Sequence, residues 1–403
     1  MKQRVIIIGN SYSTRLGLIR AVSQLGCEIL VIHIGDFSNH SNCSTPILPI
    51  DGYSRWVDKI LYFNRKEGEA GLVRLLLDKC TVEGQKTIII PTSDFSALAI
   101  DDEALKAQFL VPHISNKISS VGYWMDKSHQ KELAVRVGLK TANSVIIEKN
   151  ETGYTIPNDI HYPCFTKPVT SIGAGKKCLQ RCNTSEDLQS VLKVAEKNNI
   201  SRLLVEDYIN IDQEYAVLGF SNGEDVMIPG IIEFQRECQS HKGIAMTGKV
   251  VPIDGFESII ELFTDFIRQL GFVGLFDIDF FESKENFYFD ELNLRTGGSG
   301  TAIFSMGVNL PVMFIKTMLG EGIDNMPRFI TRKATFLNER MAIADFKSGY
   351  MSTRGYKRLV NSTEIHFVKD ESDPAPYEAI QKEFSKNILN CKRIVKRILH
   401  IRK

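Results

Sequence analysis

The segment Phe287-Tyr288-Phe289-Asp290-Glu291-Leu292-Asn293-Leu294-Arg295 sets a carboxylate, a carboxamide and a guanidinium two residues apart. Side chains alternate along a strand, so Glu291, Asn293 and Arg295 share one face and Leu292 and Leu294 the other. Hard oxygen donors of this kind suit Mg²⁺, which keeps waters and takes one or two carboxylates plus phosphate oxygens. The guanidinium suits a phosphoryl or carboxylate group. Asp277 and Asp279, on the preceding apolar run, share a face too, and either completes a metal site. The bland reading is a solvated sheet face with an ion pair, which fits poorly with so aromatic a hairpin.

Two weaker signals lie upstream. Phe165-Thr166-Lys167-Pro168 runs into Ser171-Ile172-Gly173-Ala174-Gly175-Lys176-Lys177. Glycines let backbone amides approach phosphates, and a lysine on the strand before them neutralises charge. This is not a P-loop: Lys177 stands where Ser or Thr is required, and position 170 is Thr. Alone, it reads more readily as a hairpin turn. Val205-Glu206-Asp207-Tyr208-Ile209, followed by Gln213-Glu214-Tyr215, is a strand entering a linker. It offers backbone groups to an adenine edge and a carboxylate to ribose hydroxyls.

The elements that must position these residues follow from periodicity. Residues 5–8 are a short apolar run ending at Gly9-Asn10, a buried parallel strand. A helix over 14–25 closes at Gly26; strands at 28–34 and 88–90 flank a helix at 72–77. This rhythm predicts a doubly wound sheet over about 1–120. Its first turn, Gly9-Asn10-Ser11-Tyr12-Ser13, is not GxGxxG, so no dinucleotide site is expected. Asp94 follows a buried strand and either caps the next helix, the favoured reading, or contacts a second substrate. Further on, helices are expected at 126–138 and 187–197 and strands at 164–169 and 203–205. Antiparallel strands begin at about 214, with one helix at 259–270. They include a hairpin of 276–281 and 287–295 around 282–286. Asp373-Pro374-Ala375-Pro376 reads as a linker before a last helix.

Taken in order, these signals resemble the ATP-grasp superfamily: Asp126-Lys127 before a helix, Lys167 with its glycine loop, a strand ending in Glu206, then the Asp…Glu-x-Asn-x-Arg hairpin. The resemblance covers about 1–320 and is best over 120–310. The twelve residues from Asp279 to Glu291 are similar to the spacing of the two metal carboxylates of biotin carboxylase. The segment Asn293-Leu294-Arg295-Thr296-Gly297-Gly298-Ser299-Gly300 is similar to the Asn-Pro-Arg-plus-glycines loop of carbamoyl phosphate synthetases. It is also similar to carboxylate–amine ligases, D-aspartate ligases among them.

The resemblance implies an α/β ATP-grasp fold. It has a Rossmann-like domain at 1–120, a small lid at 121–205, a larger α+β domain at 206–320 and an appended segment at 321–403. It implies ATP and Mg²⁺ as cofactors, with Mn²⁺ as a substitute. Lys127 and Lys167 would hold phosphates, and the loop with Ser171, Gly173 and Gly175 would fold over them. Glu206, Tyr208 and Ile209 would read adenine, Glu214 the ribose, and Phe281 would pack under the base. Asp279, Glu291 and Asn293 would bind the metal, with Asp277 a rival ligand, and Arg295 would stabilise the transferred phosphoryl group. Asp279 departs from the glutamate of some branches. The bicarbonate and biotin residues of biotin carboxylase have no clear match, which argues against a carboxylase.

The activity implied is an ATP- and Mg²⁺-dependent ligase joining a small-molecule carboxylate to an amine through an acyl phosphate. Alternatives are carbamoyl-phosphate-like phosphorylation of a carboxylate or bicarbonate, and a nucleotide-binding protein without turnover. Lys249 is a further candidate for phosphate contact and catalysis. Arg236, His241 and Lys242 either bind a substrate carboxylate or line a solvated loop. His113 and His129 read as solvated or core residues.

Composition excludes other classes. Lys+Arg number 49 against 48 Asp+Glu, for a net +1, so a nucleic-acid partner is not expected. No apolar run approaches the roughly 20 residues needed to span a bilayer, and the N-terminus is not a signal peptide. Eight scattered cysteines without a CxxC pair suggest reduced thiols in a cytoplasmic protein. Residues 382–403 carry eight Lys/Arg and one acid. A basic amphipathic helix there packs on the body or, less favoured, lies on an anionic membrane. A homodimer is compatible with all of this.

Overall fold

The run Val5-Ile6-Ile7-Ile8 is completely buried, as an apolar strand covered on both faces should be. In the computed structural model, which describes residues 2–36, 48–116, 119–151, 153–170, 175–382 and 384–385, it forms the middle of a parallel sheet. The strands are β1 (Arg4–Gly9), β2 (Glu28–Gly35), β3 (Lys59–Asn64), β4 (Thr87–Pro91) and β5 (Phe109–Leu110). Their order is β3-β2-β1-β4-β5. Chain direction across the sheet reverses between β1 and β4, and the loops after these two strands diverge to flank a crevice. β6 (His113–Ile114) then crosses to pair with a strand of the last sheet.

A second, antiparallel sheet holds β7 (Ser144–Asn150), β8 (Gly153–Tyr154), β9 (Cys164–Pro168), β10 (Gln180–Cys182) and β11 (Arg202–Asp207), in the order β10-β9-β11-β7-β8. The helix Ser185–Lys197 covers one face. Thr184 and Asp187 form a capping box at its start, and Leu188, Val191, Leu192 and Ala195 are buried against the sheet. Its core is a separate cluster with Ile147, Leu203 and Val205.

The third sheet contains β12 (Gln213–Asn222), β13 (Val226–Met227), β14 (Ile231–Glu237), β15 (Ala245–Val251), β16 (Phe272–Ser283), β17 (Asn286–Asn293), β18 (Ala334–Leu337) and β19 (Ile365–His366). Its main path is β17-β16-β12-β14-β15-β18-β19. The helix Glu257–Leu270 packs Phe263, Phe266 and Ile267 on one face, with Phe276, Ile278 and Phe280. Ala216, Leu218, Phe220 and Leu275 face the other way and join Val5, Ile7, Leu18 and Val22 in one continuous core. The N-terminal unit is thus fixed to the face of the third sheet that bears Asp277 and Asp279.

Two features differ from the sequence reading. The segment from about 321 is not merely appended, because β18 and β19 extend the third sheet. The hairpin is also tighter than expected: Lys284 and Glu285 alone make the turn, both with positive φ (47° and 61°), the geometry of a two-residue hairpin loop. No helix among the described residues is long and apolar enough to cross a membrane. The six cysteines described are free and buried. Most of the basic tail, including Glu383 and 386–403, lies outside the described residues.

Candidate active site

The β16–β17 hairpin assembles the acidic centre. Asp277 pairs directly with Asn293, and Asp279 with Glu291. Cross-strand partners point to the same face, so three carboxylates and a carboxamide crowd one patch. Asn293 Nδ2 donates to Asp279 Oδ2 at 3.3 Å. Burial pushes the Asp277 carboxyl up to about 7; Arg295 pulls it down, while Glu291 and Asp94 add to the rise. Asp279 is raised well above its ordinary value by burial first and then by Asp277, Glu291 and Asp290. Asp277 Oδ1 is buried without a hydrogen-bond partner.

A bulge sits between Asp279 and Phe280, where β17 passes Asp290 without a partner. The extra residue breaks strict alternation. It lets Asp290, which alternation would turn away, reach across to Lys167 on β9. The second sheet answers with its own charges. Phe165 is paired with Glu206, and Lys167 with Leu204. Lys167 and Glu206 therefore share the face away from the helix, as diagonal neighbours. Lys167 Nζ lies 2.9 Å from Glu206 Oε2, and Lys131 Nζ bonds Glu206 Oε1. Burial opposes the charge on Lys167, but Asp290 and Glu206 outweigh it and hold the ammonium above its usual range. Burial likewise opposes the Glu206 charge, and the two lysines draw its carboxyl down. Desolvation lowers Lys131 despite that partner.

Lys127 begins the helix Lys127–Arg136, whose N-cap is Asp126. Its Nζ reaches Glu291 Oε1 at 2.7 Å, and its amide donates to Val169 O at 2.9 Å. Lys127, Lys131 and Lys167 thus bridge the carboxylates of the second and third sheets. This is a ready cradle for a polyanion placed between them.

Arg295 lies just beyond β17. Its Nη2 donates to Asn293 Oδ1 at 2.9 Å and its Nε to Asp94 Oδ1 at 2.8 Å. Asp94 and Asp277 outweigh burial and raise its pKa, so it stays charged. Asp94 is not the helix cap. Ser93 caps Asp94–Ala99 in a reciprocal box with Ser96, which leaves the Asp94 carboxylate to Arg295. Gly297 follows closely: a Cβ there would lie 1.4 Å from Asp277 Oδ2.

Other candidates fall at varied distances from this centre. Phe281 stacks on Tyr288 (5.4 Å between centroids, 10° between planes) and pairs across the ladder with Glu214. Both lie on the Asp279 face at its outer end. The amide of Tyr208 donates to Pro163 O at 3.0 Å, so that N–H is already taken within the chain. Glu206 is occupied by lysines rather than offered to a base. Ser171 and Gly173 lie outside the described residues, and Gly175 opens a short 3₁₀ turn, Gly175–Cys178. Lys249 is opposite Glu233, which is opposite Tyr215 and hence Phe280. That register puts it on the far face of the sheet from Asp279, three strands away, and corrects its placement near the phosphates. His129 stacks on Tyr123 with centroids 3.9 Å apart, and His113 bonds Val111 O, both away from the site.

The sequence reading missed Asp290 and Lys131 and underrated Asp94. Lys131 carried a signal, since it lies four residues from Lys127 on one helical face. Asp290 carried none, because the bulge depends on both strands.

The donor set fits Mg²⁺. Asp279, Glu291 and Asn293 present hard oxygens, and Asp277 Oδ1 is an orphaned anionic atom beside them. Among the described residues no three carboxylates, imidazoles or thiols converge on one point. Mg²⁺ needs only one or two carboxylates when nucleotide phosphates and waters complete its shell.

Residues 132–306 match the model of the ATP-grasp domain family. Among curated relatives, the formate-dependent phosphoribosylglycinamide formyltransferase of Prochlorococcus marinus (strain MIT 9312) is 24% identical over 344 residues, 81% of this chain and 78% of that protein. Carbamoyl phosphate synthase large chains also match, and the chain spans about a quarter of their length, 23% for that of Lachnoclostridium phytofermentans at 22% identity. Among solved structures, N5-carboxyaminoimidazole synthetase from Staphylococcus aureus complexed with ADP aligns with TM-score 0.60 and 18% identity over 83% of this chain and 82% of that one. The L-amino acid ligase from Bacillus licheniformis aligns with TM-score 0.60 and 15% identity, over 83% and 79%. The fold and the domain match agree with the cradle between the two sheets: residues 132–306 of the chain are an ATP-grasp domain.

Proposed function

We propose that the protein is an ATP- and Mg²⁺-dependent carboxylate–amine ligase that works through an acyl phosphate. The observation that carries this reading is Arg295, a half-buried cation joined to Asn293 on one side and Asp94 on the other. Binding a nucleotide needs no guanidinium at that point; stabilising a transferred phosphoryl group does. The likeness to an L-amino acid ligase supports the reaction class.

Lys127 and Lys167 hold the ATP phosphates, and Asp279, Glu291 and Asn293 hold the metal. When bound, Mg²⁺ would neutralise charge on the phosphate oxygens. The substrate carboxylate attacks the γ-phosphoryl group, and ADP leaves. Arg295 faces the equatorial oxygens, where charge gathers. An amine then attacks the acyl phosphate, forming an amide and releasing phosphate. The chain's main contribution is to hold the reactants in line and exclude water. Phe281 and Glu214 lie at the nucleoside end, with the carbonyl of Tyr208 and Ile209 toward the base.

The test is ADP release with Mg-ATP against amino acids supplied singly and in pairs. Release that requires both a carboxylate and an amine supports the ligase. Release with bicarbonate and ammonia alone would favour the carbamoyl-phosphate reading, and nucleotide binding without release would favour the non-catalytic one.

A further inference from the structure

The crevice between β1 and β4 receives two arginines. Arg295 meets Asp94 just after β4. Arg340, from the start of the helix Glu339–Lys347, reaches Ser11 just after β1 at 3.4 Å, and its guanidinium lies 5.6 Å above the Tyr12 ring. Arg295 has a carboxylate partner. Among the described residues Arg340 is paired with none.

The loop that meets Arg340 is rigidly built. Arg15, fully buried, forks onto Asp51 (2.6 and 2.8 Å) and also donates to Gly9 O. A Cβ on Gly9 would lie 1.8 Å from Thr92 Oγ1, so the ends of β1 and β4 are packed against each other without slack at the floor of the crevice. Ser11 precedes the helix Tyr12–Ser23, yet its side chain caps nothing. Its hydroxyl instead gathers Thr14 Oγ1 and Ser13 Oγ, each at 3.2 Å. Three hydroxyls and a guanidinium without a carboxylate thus converge where open α/β sheets bind ligands. No acid lies in the first turn of that helix to repel an anion.

We infer that Arg340 and the Ser11–Ser13–Thr14 hydroxyls bind an anionic group of the second substrate, a carboxylate or a phosphate monoester remote from the reacting atom. The substrate would then span from Arg295 to Arg340 across the crevice. Arginine suits either anion through parallel N–H donors, and the hydroxyls add neutral donors. This deepens the ligase reading by giving the second substrate a charged end, and it rests on that reading for the substrate's role.

The test is calorimetric titration of the full chain, loaded with Mg²⁺ and a non-hydrolysable ATP analogue so that the phosphate cradle is filled. Inorganic phosphate is titrated in one arm and succinate in the other, and the better binder identifies the anion class. Arg340→Gln should weaken that binder about tenfold or more, and Arg340→Lys should recover part of the loss. Arg332→Gln, which breaks an exposed pair with Glu364, should leave it unchanged. Equal binding in Arg340→Gln, equal loss in Arg332→Gln, or no binding of either anion to the wild type would overturn the inference. Arg340→Lys carries the test if Arg340→Gln fails to fold. Because binding is read without turnover, a failure of the ligase reading shows separately, as no ADP release from any substrate pair.

Discussion

Arg295 and Asp277 occupy one acidic patch but take opposite electrostatic roles. Arg295 is ionised and held by Asp94 and Asn293. Arg295→Ala should cut ADP release by about 100-fold or more while nucleotide binding persists, as with the loss of a single donor to developing charge. Equal losses in binding and turnover, measured by nucleotide titration beside steady-state assays, would contradict that role. Asp277 is a buried carboxyl raised to about 7. Between its unfolded value and that point the native chain holds a proton the unfolded chain has released, so this group's contribution to stability falls as pH rises. Asp277→Asn should therefore gain on the metal-free wild type between pH 5 and pH 8, by on the order of 1–4 kcal/mol. Chemical denaturation at the two pH values reads the difference. A constant gap, or a gain toward acid, would refute it.

At the scale of elements, the site is a hairpin, a helix start and a strand of the second sheet brought to one gap. The hairpin's acidic face was legible from alternation alone, since Asp277, Asp279, Glu291 and Asn293 need only a period of two. The contact of Asp290 with Lys167 was not, because it depends on a bulge that one strand's pattern does not encode. Lys249 misled for a related reason. Its strand was visible, but its face is fixed by pairing through β14 and β12 to β16. The loop after the hairpin is as constrained as the hairpin itself. Gly297→Ala would place a methyl 1.4 Å from Asp277 Oδ2. It should cost about 1–3 kcal/mol of stability through overpacking and reduce turnover by displacing the patch. Thermal melts with parallel assays test this, and an unchanged melt would mean that the loop moves freely. Glu206→Gln should be costlier, about 3–5 kcal/mol, because it leaves two buried ammonium groups short of a counter-charge. Denaturant unfolding would show it as a lower midpoint at constant slope.

At the scale of the molecule, two units share a core and one does not. The N-terminal parallel sheet was readable from its β-α-β rhythm, but its union with the third sheet was not. That union depends on side chains from residue 5 to residue 367 meeting in one cluster. The second sheet has its own small core under the helix Ser185–Lys197. Local opening follows contact density, so amides of β7, β9 and β11 should exchange with solvent before those of β1, β12 and β16. Mg-nucleotide should slow them by bridging Lys167 to the third sheet. Hydrogen exchange with and without the nucleotide tests both statements, and uniform protection across the three sheets would contradict them. This arrangement, with a less firmly anchored layer over a fixed acidic face, suits a reaction whose activated carboxyl group must be kept from water.

The proposed mechanism requires the carboxylate substrate itself to be phosphorylated. Its most direct test uses a carboxylate labelled with ¹⁸O, the matching amine and Mg-ATP, with the released phosphate examined by mass. The acyl-phosphate route predicts one ¹⁸O transferred into phosphate for each ADP formed, with label and ADP both appearing about 100-fold more slowly in Arg295→Ala. Unlabelled phosphate, released at the same rate as ADP, would show that water rather than the carboxylate attacks ATP, and would contradict the ligase mechanism.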